Sequence, residues 1–244
     1  MGRATSQAGL VIRLERLVVG YLDTNCWIIA PDLPGRPPAL IVDPGDDPDY
    51  LAAAAASYEV VGVLLTHAHA DHVLALTALA ESLNAPIIGH PAEREVWAAE
   101  LDHLKRHGYL DAGTATAGLV ANGQAPRPTP GIPLWDGHLD QEITTPTTIS
   151  LGPLDVQIIP TPGHSPGSLS LYADGHLFTG DTLFPGGPGL TSPDYPLTDF
   201  PAIMQSVRTL LTHPPETTIH PGHGPDTTVG TELPYVETWQ TRGW

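Results

Sequence analysis

The run Val60-Val61-Gly62-Val63-Leu64-Leu65 carries no polar side chain and stops abruptly at Thr66-His67-Ala68-His69-Ala70-Asp71-His72. A short run this rich in valine and leucine reads as a strand covered on both faces, so the polar cluster falls on the loop at the strand's C-terminal edge. In an extended segment alternate side chains share one side, which points His67 and His69 at the same place. Asp71 and His72 are neighbours on a turning chain and diverge, so they would serve a second ion. A lone histidine on a surface loop needs no special explanation. Three imidazoles and a carboxylate packed behind a buried strand do, because these groups are ordinary ligands of zinc and iron.

With 244 residues, 41% of them hydrophobic, the chain can bury the core of a single domain. No apolar run approaches the roughly 20 residues needed to cross a bilayer. Met1 to Leu10 lacks the basic start and apolar middle of a signal peptide, so a cytoplasmic protein without a membrane partner is expected. A net charge of -17 with only ten Lys plus Arg argues against a nucleic-acid partner, since phosphate binding needs clustered cations. The single cysteine, Cys26, excludes an internal disulfide and a cysteine metal cage. It lies in the apolar run Cys26-Trp27-Ile28-Ile29-Ala30 and reads as a buried structural thiol.

Periodicity predicts strands over Leu10–Val19, Tyr21–Ala30 and Ala39–Asp43, then a helix over Asp47–Ala56. After the His-rich loop a helix is expected from His72 to Leu83, capped by Asp71, with Val73, Leu76, Leu79 and Leu83 as its apolar stripe. A short strand Ala85–Gly89 and a helix Ala92–Arg106 follow. Residues 108–146 are rich in Gly, Ala, Thr and Pro with little period, the texture of a lid over a site, and Leu134 and Trp135 would meet substrate or pack on the body. Strands resume at Thr147–Leu151, Leu154–Pro160, Ser168–Tyr172, His176–Gly180 and Thr217–Ile219, with helices at Met204–Leu211 and Leu233–Gln240.

Three further motifs follow the His-rich loop in order: Thr161-Pro162-Gly163-His164-Ser165-Pro166-Gly167-Ser168, Gly180-Asp181-Thr182-Leu183-Phe184 and His220-Pro221-Gly222-His223-Gly224. Together with Val42-Asp43-Pro44-Gly45 upstream, they resemble the signature of the metallo-β-lactamase superfamily, in wording similar to the glyoxalase II-like hydrolases. That resemblance implies an α/β fold, a four-layer α/β/β/α sandwich spanning 1–244 as one domain; the residues alone give only mixed α and β. It implies one ion on His67, His69 and His164 and another on Asp71, His72 and His223, with Asp181 bridging. Two divalent ions would activate a shared water as hydroxide, which Asp71 and Asp181 direct at a carbonyl. Zinc suits this nitrogen and oxygen set best; iron and manganese are compatible. Asp43 either caps a turn or orients a metal-bound histidine through its other N–H. The remaining histidines (His90, His103, His107, His138, His176, His213 and His220) are expected to be surface or structural.

The implied reaction is hydrolysis of a small acyl thioester. The long glyoxalase II enzymes carry basic residues for glutathione that this chain lacks: its one lysine is Lys105, and no lysine follows Phe184. The clustered cations near the expected mouth are Arg94, Lys105, Arg106 and Arg127. Three other readings share the motifs: a persulfide dioxygenase with one iron on His67, His164 and Asp181; a lactonase or β-lactamase using the same two-metal water; and a metal-stabilised scaffold without activity, which would normally have lost ligands.

Overall fold

A computed structural model describes residues 11–106, 110–111, 114–115, 131–192 and 197–243. The first sheet runs in the order β1 (Ile12–Val19), β2 (Thr24–Pro31), β3 (Pro38–Val42), β4 (Glu59–Leu64), β5 (Ile87–Gly89), β8 (Gln141–Glu142). The strands β1, β2 and β3 meander antiparallel, whereas β3, β4, β5 and β8 are parallel. The parallel connections are crossovers through helices α1 (Pro48–Ala55), α3 (Leu76–Leu83) and α4 (Glu93–Arg106), as parallel pairing requires. The two-residue strands β6 (Leu110–Asp111) and β7 (Thr114–Ala115) form a separate ladder, β13 (Leu183–Phe184) and β14 (Gly187–Pro188) form another, and a single helical turn, α6 (Val229–Glu232), lies near the C-terminal end.

The second sheet runs β16 (Thr227–Thr228), β15 (Thr218–Pro221), β12 (His176–Gly180), β11 (Leu169–Ala173), β10 (Leu154–Pro160), β9 (Thr147–Leu151). Three apolar layers separate the elements. Leu51, Leu79 and Trp97 of α1, α3 and α4 pack on Cys26, Ile28, Ile41 and Val63 of the first sheet. Ile29, Leu40 and Leu64 meet Val156, Ile158 and Leu171 between the sheets. Leu177 and Ile219 meet Ile203, Met204 and Val207 of α5 (Phe200–Leu210) and Trp239 of α7 (Val236–Arg242) on the far face. The architecture is therefore the expected α/β/β/α sandwich. It explains the unbroken apolar runs: along β2 every residue is buried, Cys26, Ile28 and Ala30 toward the helices, Trp27 and Ile29 toward the other sheet. Burial also pushes the Cys26 thiol pKa up, as suits a structural thiol.

Several local expectations change. The single helix from His72 to Leu83 is two helices, α2 (Ala70–Val73) and α3, and His69 rather than Asp71 takes the cap position. The Asp71 carboxylate accepts from Thr24 Oγ1 at 3.2 Å instead of capping, and the Ala75 N–H bonds to the Pro44 carbonyl at 3.0 Å. The helix expected over Leu233–Gln240 begins as a 3-10 turn, Leu233–Tyr235, before α7, with Pro234 in the first turn, where a missing N–H costs nothing. Helix α5 starts earlier than expected because Asp199 caps it, its side chain accepting from the Ala202 N–H at 2.9 Å.

Of the segment expected as a lid, residues 108–109, 112–113 and 116–130, with Arg127, lie outside the described residues. Residues 131–146 form part of the body. Trp135 is 2% exposed, its Nε1–H donates to the His138 carbonyl at 2.7 Å, and Trp97 Nε1–H donates to the Trp135 carbonyl at 2.6 Å. Trp135→Ala is expected to lower unfolding free energy by about 3–5 kcal/mol in urea titrations, the usual cost of emptying a large buried site. A loss below about 1 kcal/mol would show that this segment is only draped on the core.

Candidate metal centre

All seven residues singled out from the sequence come together at one edge of the sandwich. Strands β3, β4, β10, β12 and β15 end there, and the motif loops follow them directly. The sheets are stitched at this edge by the Asn25 N–H to the Gly222 carbonyl (2.7 Å) and the Leu169 N–H to the Thr66 carbonyl (2.8 Å). Two glycines permit the close approach. A Cβ at Gly163, whose φ is +141°, would lie 2.2 Å from the Ile203 nitrogen; one at Gly222 would lie 2.2 Å from Asp181 Oδ1.

The donors fall into two sets. His67 Nε2 lies 3.1 Å from His69 Nδ1, which lies 3.0 Å from His164 Nε2. His72 Nε2 lies 3.2 Å from His223 Nε2, and Asp71 Oδ2 is 3.4 Å and 3.1 Å from those two nitrogens. Asp181 spans both sets, with Oδ1 3.5 Å from His72 Nε2 and Oδ2 3.8 Å from His164 Nε2 and 3.6 Å from His223 Nε2. Ligands at the usual 2.0–2.1 Å from a tetrahedral zinc would be about 3.3 Å apart, close to these separations.

The far side of four rings fixes their tautomers. His164 Nδ1–H donates to the Leu190 carbonyl at 2.9 Å and His223 Nδ1–H to the Leu22 carbonyl at 3.0 Å. His72 Nδ1–H donates to Asp43 Oδ2 at 3.0 Å. Thr66 Oγ1 donates to the same Asp43 oxygen at 2.7 Å, so it can only accept from His67 Nδ1–H, at 3.1 Å. In the neutral rings Nε2 is then a bare lone pair. His67 Nε2, His69 Nδ1 and His164 Nε2 share at most one proton among three nitrogens, an arrangement that calls for a cation. Asp181 Oδ1 is likewise buried without a hydrogen-bond partner. The residues present therefore fit a pair of divalent ions.

The titration of these groups divides the same way. Burial, reinforced by neighbouring imidazoles, pushes His67 well below its ordinary pKa, His69 to about 3 and His164 to about 4. For His72 burial opposes the charge, but Asp71, Asp181 and Asp43 outweigh it and push the pKa up to about 10. His72 and His223 in turn hold Asp71 below the carboxylate range against its burial. Without a metal, a proton takes the cation's place on this side.

Of the groups that hold these side chains, the sequence signalled Asp43 and missed the others. Thr24 had no assigned role, although a polar Thr24-Asn25 pair opening an apolar strand was a signal. Asn25 Nδ2 donates to the Pro221 and Gly224 carbonyls at 2.9 and 3.0 Å and so fixes the loop that carries His223. The carbonyls of Leu22 and Leu190 left no signal, because every residue has one. Of the two readings of Asp43 the structure fits the second: its carboxylate accepts from the Thr66 N–H at 2.7 Å, far along the chain, and from the His72 Nδ1–H at 3.0 Å, whereas the turn at Asp43 closes through its backbone carbonyl. His220 is structural, as expected, and is buried against Trp27 and Phe178 with Nδ1 3.1 Å from Asp226.

A family model for the metallo-beta-lactamase superfamily matches residues 19–227. The chain is 32% identical over 226 residues to the probable metallo-hydrolase YqgX of Bacillus subtilis, covering 91% of this chain and 94% of that protein. It is 33% identical over 153 residues to the hydroxyacylglutathione hydrolase of Anaeromyxobacter dehalogenans, covering 62% of this chain and 44% of that one. Among solved structures, TTHA1623 in a di-iron-bound form superposes with a TM-score of 0.67 at 30% identity, over 90% of this chain and 96% of that one.

The pKa shifts make the metal-free protein's stability depend on pH in both directions. Below pH 6.5 the unfolded chain protonates His67, His69 and His164 and the folded one does not, so stability falls with falling pH. Between pH 6.5 and about 10 the folded chain keeps the His72 proton that the unfolded one has lost, so stability falls with rising pH. Melting temperatures of the metal-free protein should therefore drop from pH 6.5 toward 10, and drop less in His72→Gln. Parallel profiles for the two proteins over that window would contradict the raised His72 pKa.

Proposed function

The chain belongs to the metallo-β-lactamase superfamily, and on that premise we propose that it is a two-metal hydrolase of small acyl thioesters. The observation that carries this reading is Asp181, whose two oxygens reach both imidazole sets while Oδ1 has no other partner. A single-iron dioxygenase would engage His67, His164 and Asp181 and leave Asp71, His72 and His223 converging for no purpose. His67, His69 and His164 would hold one ion, Asp71, His72 and His223 the other, and Asp181 both. Zinc fits this donor set best. When bound, the ions supply Lewis acidity and bring the pKa of a water to near 7.

The chain's own groups then position and orient. Asp71, held by Thr24 and kept ionised by His72, and Asp181, with an oxygen free of hydrogen bonds, are acceptors for the protons of an attacking water. Their charge fixes its lone pair toward the acyl carbon. A thiol of pKa about 8.5 leaves as thiolate without needing a proton from the protein, so a thioester asks least of this site. The likeness to a hydroxyacylglutathione hydrolase supports the same substrate class.

Charge bears on the thiol part. Arg94 is paired with Glu142 at 2.7 Å and with the Gly137 carbonyl at 2.8 Å, and Arg106 with Asp102 at 2.6 Å. Arg13, Arg16 and Arg208 are paired with Asp32, Asp226 and Glu237. With a net charge of -17 and most described cations engaged, a neutral thiol moiety suits the protein better than the two free carboxylates of glutathione.

Initial rates on acyl thioesters of glutathione and of N-acetylcysteamine test this. Comparable kcat/KM values with little salt dependence are expected, and Asp181→Ala should cost on the order of a hundredfold or more in kcat with the circular dichroism spectrum unchanged. Absence of thioesterase activity in metal-loaded protein, or near wild-type turnover by folded Asp181→Ala, would overturn the reading. A strong preference for the glutathione thioester, lost at high salt, would overturn its specificity.

A further inference from the structure

Helix α4 carries a carboxylate that takes no part in the donor sets. Glu93, its first residue, is 0% exposed. Its Oε2 accepts from the Ala68 N–H at 2.7 Å; its Oε1 accepts from the Ser165 hydroxyl at 2.7 Å and the Gly167 N–H at 2.8 Å. Ala68 separates His67 from His69, and Ser165 follows His164. One buried side chain thus grips both loops that deliver the first donor set. The loop at Gly167 presses against it closely: a Cβ there would lie 2.8 Å from Glu93 Oε1 and 2.6 Å from His90 Nδ1.

Seven residues along the same helix, and so on the same face, Glu100 Oε2 accepts from the Ala70 N–H at 3.2 Å. The alanines of His67-Ala68-His69-Ala70 therefore turn their N–H groups to α4 while the histidines face the centre. The helix is anchored in the core by Val96, Trp97 and Leu104. Burial pushes the Glu93 pKa up to about 7, with its three hydrogen bonds acting in the opposite direction.

We infer that Glu93 is a positioning residue that selectively sets the affinity of the ion held by His67, His69 and His164, by locking the two backbone loops that carry them. Among the described residues Glu93 hydrogen-bonds neither Asp71, His72 and His223 nor a residue next to any of them in the chain, so the second ion should be spared. Glutamine at this position keeps the volume but offers an NH2 where an acceptor is needed, and outer partners of this kind typically govern metal affinity by about 10–100-fold.

The inference rests on the two-ion reading, and the wild-type titration checks that reading separately. Metal-free wild type, Glu93→Gln and Ser165→Ala are titrated with zinc against a chromophoric chelator, with melting temperatures as a fold control. Wild type should take two equivalents. Glu93→Gln should keep one at wild-type affinity and bind the other about 10–100-fold more weakly, with anomalous diffraction placing the weakened ion at His67, His69 and His164. Ser165→Ala, which removes one donor and leaves Glu93 in place, should shift the same ion by less and decides the matter if the glutamine variant does not fold. Fewer than two ions in wild type would defeat the two-ion reading and the inference with it. Two tight ions in wild type and unchanged or equally weakened ions in the variants would defeat the assignment of Glu93 alone.

Discussion

Lone pairs on neutral imidazoles repel one another, and this centre sets five rings with donor nitrogens separated by 3.0–3.2 Å within each group. Such a cluster is unfavourable unless a cation sits among it, and the surrounding structure serves to keep it from springing apart. Two carbonyls, one threonine hydroxyl and the Asp43 carboxylate anchor the outer nitrogens of four rings. Leu22 belongs to the β1–β2 turn of the first sheet, whereas the His223 it holds follows β15 of the second, so the site exists only while the sheet edges stay together. The backbone bonds from Asn25 to Gly222 and from Leu169 to Thr66 hold them there.

The three apolar layers supply the rigidity that these bonds alone could not. Because β2, β3 and β4 are packed on both faces, their ends cannot shift without disturbing two cores at once. The loops between β4 and α2 and after β10 are thereby left with few degrees of freedom. Asp43 links the layers to the chemistry: it sits one residue beyond β3, bonds the first residue of the His-rich loop and orients His72.

Much of this was readable in the residues. The apolar runs around Cys26–Ala30 and Val60–Leu65 gave doubly buried strands because side-chain alternation into two cores leaves no polar position. That seven His and Asp side chains would meet was readable because His, Asp and Gly cluster after strands, and the fold brings them to one edge. What escaped were features fixed by tertiary contact. The helix after His72 breaks because the Ala75 N–H finds Pro44. Residues 131–146 look like loop in composition but pack through Trp135 and Leu139. Glu93 reads as an ordinary acidic residue opening a helix, and only its burial between the two loops separates it from Glu95 beside it.

Elemental analysis of the purified chain tests the proposed two-metal centre most directly. Two equivalents of divalent metal per chain, recovered after stripping and reconstitution, are the expected result. At most one equivalent under saturating zinc or iron would contradict a centre built on two complete donor sets joined by Asp181.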